Sequence, residues 1–479
     1  MEVRKQIAAS IPVGRGSTWR APGIRERLAG AGQFVRFSAL GATLLLPLIG
    51  VASAGGHLRP APTLGLVGVA LMFHAFAYVL NDVVDLPVDR GEPRRSGSPL
   101  VRGTVTRGRA GAFALVQVPA ALVVAARVGA DHRAIGALAA AFAGLAVYDL
   151  WGKRLRFPPF TDLIQGVGWA GLLLFGAAIQ GPWTALTWFL AAFVVVFILM
   201  ANGVHGSLRD LANDHRCGVR STAILLGARP GHGSTAVVVP PRLARYAVAL
   251  HAALFGILLV PFALGEVGRG AVERAASGSA LIAVGAVSTW LLVSALRSMG
   301  DPLGFRSAGM LHLVVTLAAP VAFLAPSMDR VLLAMLAGGY LVPLLAHPWL
   351  PDSVRWAGRR LGVLRDLVWV TRAENCLAGG AAILVGAHLA TAGWSVWTPR
   401  LVRASVSVCL IVGASNVVND LRDVRVDRLE KPHRPIPSGR LSPRAARLLA
   451  ATLGIGGCGL AWSLGFGLGS LATGLLLLA

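Results

Sequence analysis

Charge is scarce in this chain, and acid scarcest of all: 14% of its 479 residues are charged, with only 22 Asp and Glu against 45 Lys and Arg. With 55% of residues hydrophobic, far more apolar sequence is present than a soluble core needs, which points to an integral membrane protein. Cysteine is nearly absent, and Cys217, Cys376, Cys409 and Cys458 stand far apart, so neither a zinc site nor a disulfide framework is indicated. The apolar runs lack strict alternation, which argues against a transmembrane barrel. A compact signal-peptide pattern is missing too, because about thirty residues rich in basic groups, Gly and Pro come before the first long apolar run. Residues 1–30 are therefore expected to be a flexible cytoplasmic tail. Gly-rich runs such as Leu453–Gly457 have no strand before them and read as helix packing, not as a nucleotide-binding loop.

What the chain does have is apolar stretches about long enough to cross a bilayer as helices. They fall near 34–54, 61–80, 110–129, 133–148, 163–181, 184–204, 244–265, 277–296, 308–325, 329–347, 373–392, 401–418, 445–462 and 464–479. The formal charge of +23 sits in short loops between these runs and not along one amphipathic face, which speaks against nucleic acid. Basic groups open the first run (Arg25, Arg27, Arg36) and follow the second (Arg90, Arg94, Arg95, Arg102), fourth (Lys153, Arg154, Arg156) and sixth (Arg209, Arg216, Arg220). The positive-inside rule makes that side cytoplasmic, in a cell (inner or plasma) membrane.

One acidic run occurs twice, 338 residues apart: Asn81, Asp82, Asp85 and Asp89, then Asn419, Asp420, Asp423 and Asp427, each at the end of an apolar stretch. On a helix the spacing brings amide and carboxylate oxygens to one face, where they can hold Mg²⁺. The repetition predicts two modules, 31–347 and 368–479, joined by a polar linker over 348–367. The second module has at most four of the apolar runs and stops at Leu-Leu-Leu-Leu-Ala, so it is expected to be truncated, degenerate or completed by a partner chain.

The first module carries further polar groups at its membrane boundary. Asn202, Gly206, Asp210 and Asp214 recur every four residues and are predicted to share a helix face, with Arg209 and Arg216 interleaved. Tyr148 and Lys153 follow the fourth run, and Lys153, like Arg95, suits a diphosphate oxygen. The matching chemistry is ionisation of an allylic diphosphate: metal ions and basic side chains stabilise the leaving charge, and an apolar bundle keeps the carbocation from water.

In their order and spacing these runs resemble the UbiA superfamily of intramembrane prenyltransferases. The resemblance rests on Asn-Asp-x-x-Asp-x-x-x-Asp at 81–89, on Tyr148 with Lys153, and on Asp210 and Asp214 followed by Gly218, Arg220 and Thr222. It covers nearly all of the first module, while the second resembles the family's first third, through Arg372, Asn375 and the stretch Glu430–Ser442. It implies an all-α bundle of about nine transmembrane helices with a partial repeat, acting in isoprenoid biosynthesis. By the same resemblance Asp82, Asp85, Asp210 and Asp214 would bind Mg²⁺. Asn81, Asp89, Arg95, Lys153, Tyr148, Asn202, Arg209 and Arg216 would attend a polyprenyl diphosphate, whose prenyl group passes to an aromatic or small lipid-precursor acceptor. Pro87 departs from the pattern and predicts that the motif helix ends or kinks there, carrying Asp89 off the shared face. A UbiA-type terpene cyclase and a non-catalytic lipid-binding protein are the competing readings. His205 reads either as a base toward the acceptor or as a packing residue, and His74 as a contact to a neighbouring helix.

Overall fold

The computed structural model describes residues 32, 34–55, 60–91, 95–152, 155, 157–231, 237–268, 270–298, 302–345, 350–391 and 398–478. The expected tail, 1–30, lies outside them. The chain divides into two compact units, Met1–Ser353 and Val354–Ala479.

The first unit is helical almost throughout. Its helices are α1 (Leu40–Ser53), α2 (Pro60–Asp89), α3 (Arg107–Arg127), α4 (His132–Trp151), α5 (Pro158–Gln180) and α6 (Ala185–Met200). A π turn, Ala201–Gly206, joins α6 to α7 (Ser207–Arg216), and α8 (Thr222–Leu225) leads into a two-stranded hairpin. Its strands, β1 (Arg229–Pro230) and β2 (Val237–Val238), pair antiparallel with Arg229 opposite Val238. Helices α9 (Pro241–Ala263), α10 (Ala271–Arg297), α11 (Pro302–Leu324) and α12 (Arg330–Leu345) complete the unit. Among the described residues of the whole chain, ten helices are long and apolar enough to cross a membrane.

Burial and closeness of approach organise this bundle. In lipid the backbone must satisfy its own hydrogen bonds, so helices are the default, and small residues let them pack closely. The short α1 is buried along most of its length and packs on α2, α5, α6 and α12. At its crossing with α5 two glycines face each other's backbone: a Cβ on Gly176 would lie 2.5 Å from Pro47 Cα, and one on Gly50 would lie 2.7 Å from Ala177 N. The α4–α5 contact is built alike, with a Cβ on Gly144 falling 2.9 Å from Gly168 Cα. Helix starts are capped at the loops that precede them. Thr184 and Thr187 form a reciprocal box at α6, and Asp131 accepts from Ala134 N–H at α4, 2.9 Å away. That backbone bond, helped by Arg133, holds the Asp131 carboxyl below its usual range.

The second unit takes in most of α13 (Leu350–Thr371), followed by α14 (Ala373–Thr391), α15 (Pro399–Arg422), α16 (Val424–Glu430), α17 (Pro443–Trp462) and α18 (Phe466–Leu478). Val370, Val417, Ile436, Leu441, Ala446 and Ala450 form its core, so the irregular stretch after α16 supplies two of the six buried side chains. Where the sequence predicts a linker, 348–367, the chain is helical from Leu350 onward. Pro351 lies in the first turn, where a missing N–H costs nothing, and Asp366 is buried against Arg440 at 3.0 Å.

Gly176→Leu tests the α1–α5 contact. It should lower the first unit's stability by about 1–3 kcal/mol or more, read as a fall in Tm of the purified protein in detergent, whereas the same change at the open position Gly136 should be nearly silent.

Candidate active site

The first acidic run occupies the last turns of α2, and arginines hold it from two directions. Arg36, just before α1, donates to Asn81 Oδ1 at 3.4 Å and forms a short contact with Asp82 Oδ1. Arg95, beyond α2, contacts the same Asp82 oxygen and reaches Asp89 Oδ2 through both Nε, at 3.0 Å, and Nη2, at 2.9 Å. Burial disfavours the charged Arg95 guanidinium, yet Asp82 and Asp89 outweigh it and hold the group above its ordinary value. The expectation that Pro87 moves Asp89 away is corrected here: α2 stays helical through Asp89, and Asp82 and Asp89, two turns apart, share one cation. Pro87 lies in the final turn, where it removes one hydrogen bond without ending the helix.

Arg36 adopts a left-handed backbone, φ 48°, unusual for a residue with a Cβ. His74 fixes that turn by donating from Nε2 to the Val35 carbonyl at 2.7 Å while its Nδ1 faces the Thr43 hydroxyl at 2.8 Å. His74 is thus a packing residue that positions Arg36, in line with the contact expected of it. The guanidinium lies 5.2 Å from the Tyr78 ring centre, a cation–π contact.

Asn81 turns its amide to the fourth run and donates to Asp149 Oδ1 at 3.1 Å. Asp82, Asp85, Asp149 and Asp214 are all buried. Asp85, Asp149, Asp162 and Asp214 all lie within electrostatic range of Tyr148, which ties the ends of α2, α4, α5 and α7 to one locus. Gly91, just past α2, confirms the approach: a Cβ there would sit 3.9 Å from Asn213 Oδ1 on α7.

The second run is more divided than its spacing suggests. Asp214 is buried, whereas the Asp210 side chain is 42% exposed and pairs with Arg209 at 3.0 Å. Arg216 donates to Asn213 Oδ1 at 3.3 Å. The π turn at Ala201–Gly206 interrupts the four-residue period predicted to align Asn202 and Gly206 with Asp210 and Asp214, which stay four residues apart on α7. Ser207 Oγ donates to the Asn202 carbonyl at 2.8 Å within this turn, and among the described residues Asn202 Nδ2 is buried without a partner. Lys153 lies outside the described residues, as do Arg94, Arg154 and Arg156.

Three participants were not singled out from the sequence: Arg36, Asp149 and Asp162. Asp162, at the start of α5, accepts from Thr222 Oγ1 at 2.6 Å. The signal for the two carboxylates was available, since an acid in or beside an apolar span is rare without a role. Arg36 gave none, because membrane topology accounts for basic residues there.

Among the described residues no three or more His, Cys, Asp or Glu side chains are arranged as a ready metal cage. The donor set nevertheless suits Mg²⁺, because the buried groups are carboxylate and amide oxygens and, among the described residues, more acids than basic groups converge there.

The second unit repeats part of this arrangement. Arg372, again left-handed at φ 49°, contacts Asp420 Oδ1 at 2.9 Å, and Arg434 bridges Asp420 Oδ1 at 3.1 Å and Asp427 Oδ2 at 2.7 Å. Asn419 and Asp423 are exposed, and α15 ends at Arg422, so these two stand outside the cluster.

Removing Arg95 leaves Asp82 and Asp89 without their shared cation. Arg95→Ala should cost about 1–3 kcal/mol, less than a fully buried pair because Arg95 is partly solvated; thermal unfolding in detergent reads it, and Arg95→Lys should recover only part of the loss.

Residues 43–298 and 380–479 match the sequence profile of the UbiA prenyltransferase family. The chain is 41% identical over 92 residues to the digeranylgeranylglyceryl phosphate synthase of Methanoculleus marisnigri, covering 19% of this chain and 32% of that protein. It is 44% identical over 93 residues to the Methanothrix thermoacetophila protein of the same name, covering 19% and 34%. The chain thus spans about a third of the length of these curated relatives. Among solved structures, a UbiA homolog from Archaeoglobus fulgidus bound to DMAPP and Mg²⁺ is 17% identical with a TM-score of 0.46, covering 62% of this chain and 99% of its own. A UbiA homolog from Aeropyrum pernix, solved in its apo form, is 18% identical with a TM-score of 0.46, covering 61% and 97%.

Proposed function

The chain belongs to the UbiA prenyltransferase family, and on that footing we propose that its first unit transfers a prenyl group from a polyprenyl diphosphate to a small acceptor within the membrane. The observation that carries this reading is the convergence of Asp82, Asp85, Asp149 and Asp214, all buried, at the ends of apolar helices. Isolated carboxylates in such a place are costly, and a cation-bound diphosphate is the ligand class that turns the cost to use.

Asp82, Asp85, Asp210 and Asp214 would hold Mg²⁺, which supplies positive charge to the diphosphate when bound. Asp82 is already held by Arg36 and Arg95, so these two arginines are placed to pass from carboxylate to diphosphate oxygens as the donor enters. The C1–O bond of the donor then breaks, its electron pair leaves on the diphosphate, and the acceptor attacks C1. Asn81 holds Asp149 in register, Asp89 positions Arg95, Tyr148 is assigned to the diphosphate, and the apolar walls exclude water. Arg209, Arg216 and Lys153 are assigned to the diphosphate, and Asn202 to the acceptor or a phosphate oxygen. The names of the curated relatives favour a glyceryl phosphate lipid over an aromatic acceptor. We assign the motif loops to the cytoplasmic side, supported by the basic residues beside them. The second unit is read as a partial copy, supported by its family match and its arginine clamp.

Purified full-length chain should release pyrophosphate from geranylgeranyl diphosphate only with Mg²⁺. Asp82→Ala and Asp214→Ala should each reduce that release on the order of 100-fold or more, and Asp423→Ala, in the exposed position of the second unit, should leave it nearly unchanged. A cyclic hydrocarbon formed without acceptor would replace the transferase with a cyclase, and donor binding without release would leave a lipid-binding protein.

A further inference from the structure

Behind the π turn, three histidines from three helices form a continuous chain. His205 Nε2 meets His312 Nδ1 on α11 at 3.0 Å, and His312 Nε2 meets His251 Nδ1 on α9 at 3.2 Å. The chain ends where His251 Nε2 meets Thr289 Oγ1 on α10 at 2.9 Å. Neither of the two readings made of His205 from sequence contains this chain.

The far end sets the polarity of the rest. Thr289 has one hydroxyl proton and donates it to the Gly285 carbonyl, 2.7 Å away, so toward His251 it can only accept. His251 must then carry its proton on Nε2 and offer a bare Nδ1, and His312 must donate to that nitrogen from its own Nε2. The same step repeated makes His205 the donor from Nε2. Since a charge in this apolar bundle is costly, each ring holds one proton, and His205 Nδ1 is left as an unprotonated lone pair. That nitrogen is buried and has no partner among the described residues. Gly309 leaves room beside it, because a Cβ there would lie only 2.7 Å away.

The same π turn also holds the unpartnered donor Asn202 Nδ2, so it presents one unmatched acceptor and one unmatched donor. A hydroxyl group, which both donates and accepts, is the chemical class that answers both. A buried polar group without a partner is costly, and such turns recur at functional sites.

Resting on the prenyl-transfer reading above, we infer that His205 Nδ1 is the proton acceptor for the hydroxyl of the acceptor substrate. The hydroxyl oxygen forms its bond to C1 of the prenyl group as the C1–O bond to diphosphate breaks, and the hydroxyl proton goes to His205 Nδ1. The Nε2 proton of His205 can then pass to His312, and the Nε2 proton of His312 to His251, spreading the positive charge away from the reaction centre. His312, His251 and Thr289 are positioning residues, since they act through the tautomer of His205.

The test uses full-length chain in lipid nanodiscs with geranylgeranyl diphosphate as donor and geranylgeranylglyceryl phosphate as acceptor. Nitrogen-15 NMR of histidine-labelled protein, assigned against His205→Gln, should show His205 Nδ1 unprotonated in wild type and in Thr289→Ser, with the two tautomers mixed in Thr289→Val. His205→Gln should keep donor binding and lose transfer on the order of 100-fold or more. Gly309→Ala should lose transfer while keeping the Nε2-protonated His205. Thr289→Val should lower transfer by about 2- to 10-fold, and Thr289→Ser should restore it. A protonated Nδ1 in wild type, or a His205→Gln chain that transfers at the wild-type rate, overturns the inference while leaving the prenyl-transfer reading intact. A wild-type chain that releases no pyrophosphate with Mg²⁺ overturns that reading, and the role of His205 with it.

Discussion

The first unit depends on the ionic clamp at Asp82. A carboxylate at the end of an apolar helix would be expelled toward water or neutralised if it stood alone. Here two guanidiniums close on it from opposite ends of the chain segment, Arg36 ahead of α1 and Arg95 beyond α2. Much of the neighbouring structure serves that meeting. The left-handed turn at Arg36, the His74 bonds beneath it and the final turn of α2 past Pro87 all set where the cations arrive. Breaking such a pair is far more damaging than never having made it, because the remaining charge keeps its burial and loses its partner.

The second unit shows which parts of this device travel together. Arg372, Asp420, Arg434 and Asp427 reproduce the three ion pairs among Arg36, Asp82, Arg95 and Asp89, down to the left-handed residue. Unlike the clamp, the groups around it are not reproduced. Asp85 is buried inside an unbroken helix, while its counterpart Asp423 is exposed at the break between α15 and α16. The clamp therefore folds locally from one helix end and its two flanks, whereas a complete acidic site draws on α4, α5 and α7 as well.

Much of this was legible in the residues. Long apolar runs and a seven-residue offset between Asp82 and Asp89 are periodic signals, and periodicity survives without tertiary context. Pro87 was misread because proline's effect depends on its distance from the helix end, which sequence locates poorly. The π turn was invisible: an inserted residue leaves composition unchanged yet shifts Asn202 relative to the acidic residues of α7. Arg36 was hidden for the opposite reason, since one type of residue serves both membrane topology and the pairing of buried acids. Asn81 and Asp149 came together only through the packing of separate helices, which no local pattern encodes.

That π turn makes the spacing between α6 and the end of α7 a matter of chain length as much as of side chains. Deleting any one residue of Ala201–Gly206 would let an ordinary α-helix run through. Because a π turn takes up about one residue more than an α turn, the helix beyond it would keep nearly its present face, and Asp214 its buried position. What would be lost is the widened turn itself, and with it the placement of Asn202 and His205. A one-residue gap in this region is thus a lesion that spares every acidic residue and still strikes the polar groups between the helices.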